Sequence, residues 1–202
     1  MNFYPTISGV LAVMSQRGYR IYRNPDKPFD LNIVGIRTTS LVPHVFDDWI
    51  TVFYMSHGRW IFNAFPGTTD PGLFWLGNPM NEMGTAIVKE GQYRGLYELG
   101  KHRGYNALVQ KGEVTVIRDF NRDPVLDLDS GREETGVFGI NLHRASRFGE
   151  SLNVDRWSAG CQVLCDPLQF NYLMAIVEKG ADAFGNSFTY TLLHESDFQE
   201  VV

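Results

Sequence analysis

Phe138-Gly139-Ile140-Asn141-Leu142-His143, then a polar loop, then Arg156-Trp157-Ser158-Ala159-Gly160-Cys161-Gln162-Val163, is the stretch whose reading decides the fold. The run over residues 136–143 reads as a strand that ends in a histidine. Seventeen residues separate His143 from Cys161, enough chain to leave that strand and return beside it. Gly160 permits a backbone turn that other residues resist. The thiolate, not the thiol, is the nucleophile, and free Cys is mostly protonated at neutral pH. A neighbouring imidazole can take that proton, and a glycine turn can aim backbone N–H groups at a developing oxyanion. Ser158 is placed to hydrogen-bond the imidazole or the loop backbone. Cys161, His143, Ser158 and Gly160 are therefore the candidate catalytic residues. Free cysteines are also often plain core, which is the reading for Cys165. A zinc site from His143, Cys161 and Cys165 would lack a clear fourth ligand and a CxxC pair, so no metal is expected.

Working outward, Asp166 can cap a helix that begins at Pro167 and ends at Gly180. Leu168, Tyr172, Ala175 and Ile176 keep helical spacing along it. Residues 187–193 read as a closing strand. Upstream, residues 49–65 read as a hairpin turning at Ser56-His57-Gly58-Arg59. Residues 66–84, rich in Gly and Pro, read as an ordered surface loop. Residues 85–88 and 92–97 read as strands. Residues 106–110 and 114–119 read as a second hairpin around Lys111-Gly112. Near the start, residues 7–16 suit a short helix with Val10, Leu11 and Met14 on one face, and residues 19–22 and 31–37 suit short strands.

Composition agrees with this mainly β reading with one substantial helix. The chain has 202 residues, of which 44% are hydrophobic and 20% charged, which excludes long disorder. Twenty Gly and nine Pro favour many turns over a helix bundle. The net charge of −5 gives no basic face for a nucleic acid. Two cysteines four apart make no disulfide framework. The longest apolar run near the N-terminus, residues 7–14, is too short to span a membrane and lacks a basic segment before it. No transmembrane segment and no export signal are expected.

The quoted window resembles the L,D-transpeptidase catalytic domain family, whose core reads I-G-I-H-G, a loop, then S-H-G-C. Phe138 to His143 occupies the first half and Ser158-Ala159-Gly160-Cys161 the second. The hairpin 49–65 followed by Pro66-Gly67-Thr68-Thr69 is similar to the start of such domains. Gly84-Thr85 to Gly91-Gln92-Tyr93 is similar to a further family segment. Arg144, Ala159 and Val163 stand where the family has Gly, His and Arg. The resemblance implies an L,D-transpeptidase-like β-sandwich or barrel over residues 48–202, with residues 1–47 as an N-terminal extension packed on it. It also implies acyl transfer or hydrolysis at peptidoglycan stem peptides through a thioacyl enzyme on Cys161, without a cofactor. Arg144, Arg156, Trp157, Tyr93 and His102 are the candidate substrate-binding residues, and the loops 66–84 and 144–157 are expected to line the groove.

Two other functions fit the same residues. One is a virion or cell-surface structural module with a vestigial Cys/His pair. The other is a cysteine peptidase acting on substrates outside the wall. Ser56-His57-Gly58 superficially matches a caspase histidine motif, but its hairpin turn explains it better. A wall enzyme works outside the membrane, so the expected location is the wall or periplasm for a trimmed or phage-delivered protein, and the cytoplasm otherwise.

Overall fold

The computed structural model describes residues 3–129 and 131–199. Eight strands close a barrel, and three more form a small sheet against it. The barrel begins at β1 (Asn32–Arg37), which is buried along its whole length. Ile33 faces the barrel interior, while Val34 and Ile36 face outward against α1 (Ile7–Gln16). A strand covered on both faces reads as a continuous apolar run rather than an alternation. Helix α1 contributes Val10, Val13 and Met14 to that outer layer, and its Thr6 cap accepts from the Gly9 N–H.

Antiparallel strands β2 (Asp48–Ser56) and β3 (Arg59–Thr68) form the expected first hairpin. Its turn holds His57 at φ 48° and Gly58 at φ 73°. Positive φ at both central residues is the turn whose twist matches paired strands. Ile50, Val52 and Tyr54 point into the barrel, and Trp49 and Phe53 point out to α1. Helix α2 (Leu73–Gly77) and β4 (Thr85–Val88) follow, then the long β5 (Gly91–His102). Strand β5 pairs with β6 (Tyr105–Gln110) across Arg103-Gly104, a second turn with two positive φ values.

Strand β7 (Val114–Asp119) does not pair with β6, contrary to the hairpin expected around Lys111-Gly112. The N–H groups of Lys111 and Gly112 both donate to the Leu96 carbonyl, which turns the chain back across β5 and out of the barrel. Strand β7 instead lies between β4 and β8 (Arg132–Gly136). Ala86, Val88, Val114 and Val116 press one face of this sheet onto the main core, while Ile87 packs with Leu76 and Leu126 on the other side.

The barrel closes through β9 (Leu142–Arg144), β10 (Gln162–Leu164) and β11 (Phe188–His194). Between the last two runs α3 (Pro167–Phe184), capped by Asp166 as expected. It buries Phe170, Leu173, Met174, Ile176 and Val177. Of the residues read at helical spacing, Ile176 is buried, while Leu168 and Tyr172 are 75% and 54% exposed. The helix carries a second apolar spacing one position away, and that longer stripe meets the core. It also runs past Gly180, which packs tightly on Leu31 and stays helical; Gly185 at φ 93° follows the last turn.

The division expected between residues 47 and 48 runs through the barrel, since β1 hydrogen-bonds to both β2 and β11. Residues 19–22 form no strand, because the Asn32 side-chain amide satisfies both backbone groups of Tyr22. Of the expected surface loop 66–84, residues 66–68 belong to β3, residues 69–72 are buried, and 73–77 are helical. Among the described residues no helix is long and apolar enough to cross a membrane.

One buried cation ties these parts together. The Arg37 guanidinium, fully buried at the end of β1, donates to Asp70 at 2.8 Å, to Glu90 and to the Val88 carbonyl. Burial, with Asp48 and Glu90 nearby, pushes the Asp70 carboxyl well above the usual carboxylate range despite Arg37. Asp48 in turn accepts from the backbone N–H groups of Thr38 and Thr69. Removing one partner of such a network strands the other charge, at a cost of about 3–5 kcal/mol. Arg37→Gln is therefore expected to lower stability by about that much, read as the chemical denaturation midpoint. A midpoint equal to the wild type's would remove Arg37 from this role.

Candidate active site

Strands β9 and β10 are parallel, with His143 beside Val163 and Leu142 beside Gln162. Side chains alternate along a strand, so Leu142, Gln162 and Leu164 face the barrel interior. His143, Val163 and Cys165 face outward, as does Cys161 just before β10. The ladder extends beyond both strands: Gln162 N–H donates to the Asn141 carbonyl at 2.8 Å and Ala145 N–H to the Leu164 carbonyl at 2.9 Å. His143 and Cys161 thus lie on the same face of neighbouring strands, two residues apart in register.

The expected strand over residues 136–143 is broken. Strand β8 ends at Gly136, and residues 137–141 are irregular before the short β9. The side chain of Gln110 replaces the missing ladder. Its carbonyl oxygen accepts from Phe138 N–H at 3.0 Å and Ile140 N–H at 2.8 Å, and its amide donates to the carbonyls of Gly112 and Gly136. Gln110 N–H also donates to Asn141 Oδ1. That bond fixes the Asn141 amide, whose Nδ2 then donates to His102 Nδ1 at 3.1 Å. His102 therefore carries its proton on Nε2.

The His102 and His143 rings stack face to face, 4.2 Å apart and 10° from parallel. His143 is 4% exposed and its Nδ1–H donates to the Arg144 carbonyl at 2.8 Å. This leaves the lone pair on Nε2. Burial drives the His143 pKa down to about 3, against the opposing pull of that hydrogen bond, and His102, Arg103 and Arg144 lower it further. Burial and Arg103 also lower that of His102.

Cys161 is half-buried. Its thiol donates to the Gly139 carbonyl at 3.5 Å, and its sulfur accepts from Asn141 N–H at 3.4 Å. No hydrogen bond joins it to His143. Burial pushes the thiol up to about 11, although the Asn141 N–H favours the thiolate. The resting pair is a neutral thiol and a neutral imidazole, not the ion pair that residue types alone suggest.

The turn before Cys161 is built as expected, with one difference. The Ser158 hydroxyl donates to the Cys161 carbonyl at 2.8 Å and accepts from Gly160 N–H at 3.1 Å, so it holds the loop backbone rather than the imidazole. Gly160 sits at φ 116°, and a Cβ there would lie 2.4 Å from the Ala86 carbonyl oxygen. Gly72 is equally constrained, because its Cβ would fall 1.9 Å from the Asp155 carbonyl oxygen, and its N–H donates to Ser158. The Cys161 N–H has no hydrogen-bond partner among the described residues. Gln162 escaped notice in the sequence, yet its amide donates to the carbonyls of Thr69 and Gly160 and accepts from the Tyr190 hydroxyl. A glutamine within an otherwise apolar strand was the signal.

The candidate substrate-binding residues divide. His102 stands at the site. The Arg144 side chain lies on the other side of its strand, 3.9 Å from the Tyr105 ring centroid and near Phe170. Strand alternation puts residue 144 opposite residue 143, so it does not reach Cys161. Tyr93 donates to the Lys89 and Thr115 carbonyls and packs on the main core. Arg156 stacks on Phe74, and its carbonyl accepts from the Trp75 indole; Trp157 is 40% exposed on the same loop. Cys165 packs with Phe46, Ala145, Val154 and Val163, and its thiol points at the Pro66 carbonyl. Among the described residues no group of three His, Cys, Asp or Glu side chains converges on a metal position. A cleft of about 280 Å³ adjoins the turn, lined by Trp75, Ala86, Arg118, Phe138, Ile140 and Ala159 among others. Arg118 was not singled out in the sequence, where an Arg between Ile117 and Asp119 reads as an ordinary strand residue. Of the two loops expected to line a groove, residues 66–84 supply Trp75, Met80, Asn81 and Gly84 to this cleft, whereas residues 144–157 supply none of its lining.

No protein-family model matches this chain, and no curated protein matches it.

Two pH-dependent results follow. Alkylation of Cys161 by iodoacetamide in the free protein is expected to rise about tenfold per pH unit from pH 6 to 10, the behaviour of a thiol titrating above that range. A plateau across pH 5–8 would mean a preformed thiolate. The His143 pKa is depressed in the folded state, so its contribution to stability is present above about pH 6.5, the unfolded value, and is lost as pH falls toward about 3. His143→Gln is expected to flatten the loss of stability between those limits, read from denaturation midpoints. An unchanged slope would contradict the buried neutral imidazole.

Proposed function

We propose that this protein is an L,D-transpeptidase-like enzyme that uses Cys161 to transfer or hydrolyse the acyl groups of peptidoglycan stem peptides. The observation that carries the reading is the parallel β9–β10 pair. It sets a thiol with an unpartnered backbone N–H and an imidazole with a free Nε2 on one face, next to a turn whose Ala159 lines a cleft. The mainly β architecture with one substantial helix is the coarse fold expected for such an enzyme.

The steps balance as follows. On substrate binding the Cys161 thiol swings from the Gly139 carbonyl and gives its proton to His143 Nε2. The sulfur attacks the peptide carbonyl carbon, and the oxyanion meets the Cys161 N–H. The carbon–nitrogen bond breaks as the amine leaves with the proton from His143. A thioester on Cys161 remains. An acceptor amine, or water, attacks that carbonyl while His143 takes its proton and returns it to the departing sulfur. Keeping both groups neutral at rest suits a proton transfer that occurs only against bound substrate. His102 stacks on the base, and Ser158 and Gln162 hold the turn. A wall substrate places the working protein on the outer side of the membrane.

A structural module with a vestigial pair is the second reading. It is favoured by the raised thiol and the missing Cys161–His143 hydrogen bond. Turnover separates the two. Purified muropeptides incubated with the wild type are expected to give exchanged or shortened stem peptides by mass spectrometry. Cys161→Ala should give none, with its thermal midpoint nearly unchanged. His143→Ala should lose about 10²–10⁴ in rate. Cys165→Ala should keep its rate and lose only packing energy. Turnover surviving in Cys161→Ala would rule out the nucleophile, and none in the wild type would favour the module.

A further inference from the structure

We infer that the cleft beside Cys161 is a carboxylate-binding subsite in which the Arg118 guanidinium grips an anionic group of the peptide acyl donor. The inference rests on the acyl-transfer reading for the identity of the ligand, but its physical basis is separate. Arg118 is only 5% exposed. Its Nε donates to Glu134 at 2.8 Å and its Nη1 reaches the Gly84 carbonyl at 3.4 Å. Nη2 has no partner among the described residues. With Nη1 engaged by the Gly84 carbonyl, Nη2 is an unpartnered donor that reaches solvent rather than an orphaned buried one, and a guanidinium offers such a donor to a carboxylate as a charge-assisted bond. Among the described residues Arg118 is the only charged side chain lining this cleft, and Phe138 covers it at 4.7 Å.

The cleft also has the right position and size. Ala86 and Ile140 line it and are the atoms that a Cβ on Gly160 would meet, at 2.4 and 3.1 Å. One end therefore abuts the residue before the nucleophile. About 280 Å³ lies just below the usual range of small-ligand pockets, about 300–1,000 Å³, which suits one or two peptide residues rather than a protein loop. Glu134 is half-exposed and holds only the Nε side of the cation, so it competes weakly with a ligand at Nη2.

Calorimetry on the Cys161→Ala protein tests this without turnover. The probes are a stem tetrapeptide, the same peptide amidated at its C-terminus, and the same peptide amidated at its side-chain carboxylate. One of the two amidations is expected to weaken binding by about tenfold or more, the weight of a charge-assisted bond. Adding Arg118→Met should remove that difference, and Arg118→Lys should restore part of it. Glu134→Gln, a substitution at a half-exposed position, should tighten binding of the free carboxylate. Equal binding of all three peptides, no binding of any, or discrimination surviving in Arg118→Met would overturn the subsite. Carboxylate-dependent binding with no turnover by the wild type would leave the subsite standing and remove the acyl-transfer reading instead.

Discussion

Everything at the site depends on two three-residue strands lying parallel. Strands β9 and β10 are short, so their register is secured at both ends by the backbone bonds from Gln162 to Asn141 and from Ala145 to Leu164. A shift by one residue would turn Cys161 into the barrel and leave His143 outside it, because the side-chain period is two. The interior residues guard against that shift. Gln162 is fully buried and bonded to Tyr190, whose hydroxyl occupies the space a Cβ on Gly35 would need. The placement of Cys161 is thus tied through Gln162 and Tyr190 to β1, and through Arg37 to the buried turn at Asp70.

The electrostatic design differs from that of a preformed thiolate. Burial dominates both groups, raising the thiol and lowering the imidazole, so neither is charged at neutral pH. A resting thiolate is reactive toward any electrophile and any oxidant. In the proposed acyl transfer, a neutral pair reacts only with a bound substrate whose carbonyl develops charge beside it. The His102–His143 stack serves the same end, since two facing imidazoles resist simultaneous protonation. The Asn141 side chain joins the parts, linking Gln110 and His102, while its backbone N–H meets the Cys161 sulfur.

Much of the architecture was legible in the residues. The Trp49–Phe65 hairpin announced itself by β-branched and aromatic runs around a His57-Gly58 turn, and α3 by Asp166 and Pro167. The return of the chain at Cys161 to lie beside His143 was permitted by the spacing and expected from the pairing that the Cys/His motif requires. What escaped were features decided by side chains reaching across the fold. Gln110 replaces a ladder and so shortens the expected strand at 136–143. Asn32 does the same for residues 19–22. Arg144 was expected to supply positive charge to the substrate from the loop, yet it belongs to β9, where neighbouring residues point opposite ways. Arg118 and Gln162 gave only a polar residue amid apolar neighbours, and their importance lies in what surrounds them. Membership of β1 in the barrel was hidden because nothing in residues 31–37 specifies two partners far along the chain.

The central claim is that Cys161 becomes acylated by a stem peptide with His143 as the proton carrier. Intact-mass measurement of the protein quenched in acid during turnover of a tetrapeptide muropeptide tests it most directly. The account predicts a mass increase equal to the donor fragment minus its departing amine, localised to Cys161 by peptide mapping and absent in Cys161→Ala. Product formed with no such adduct at any time point, or an adduct on Cys165 instead, would contradict it.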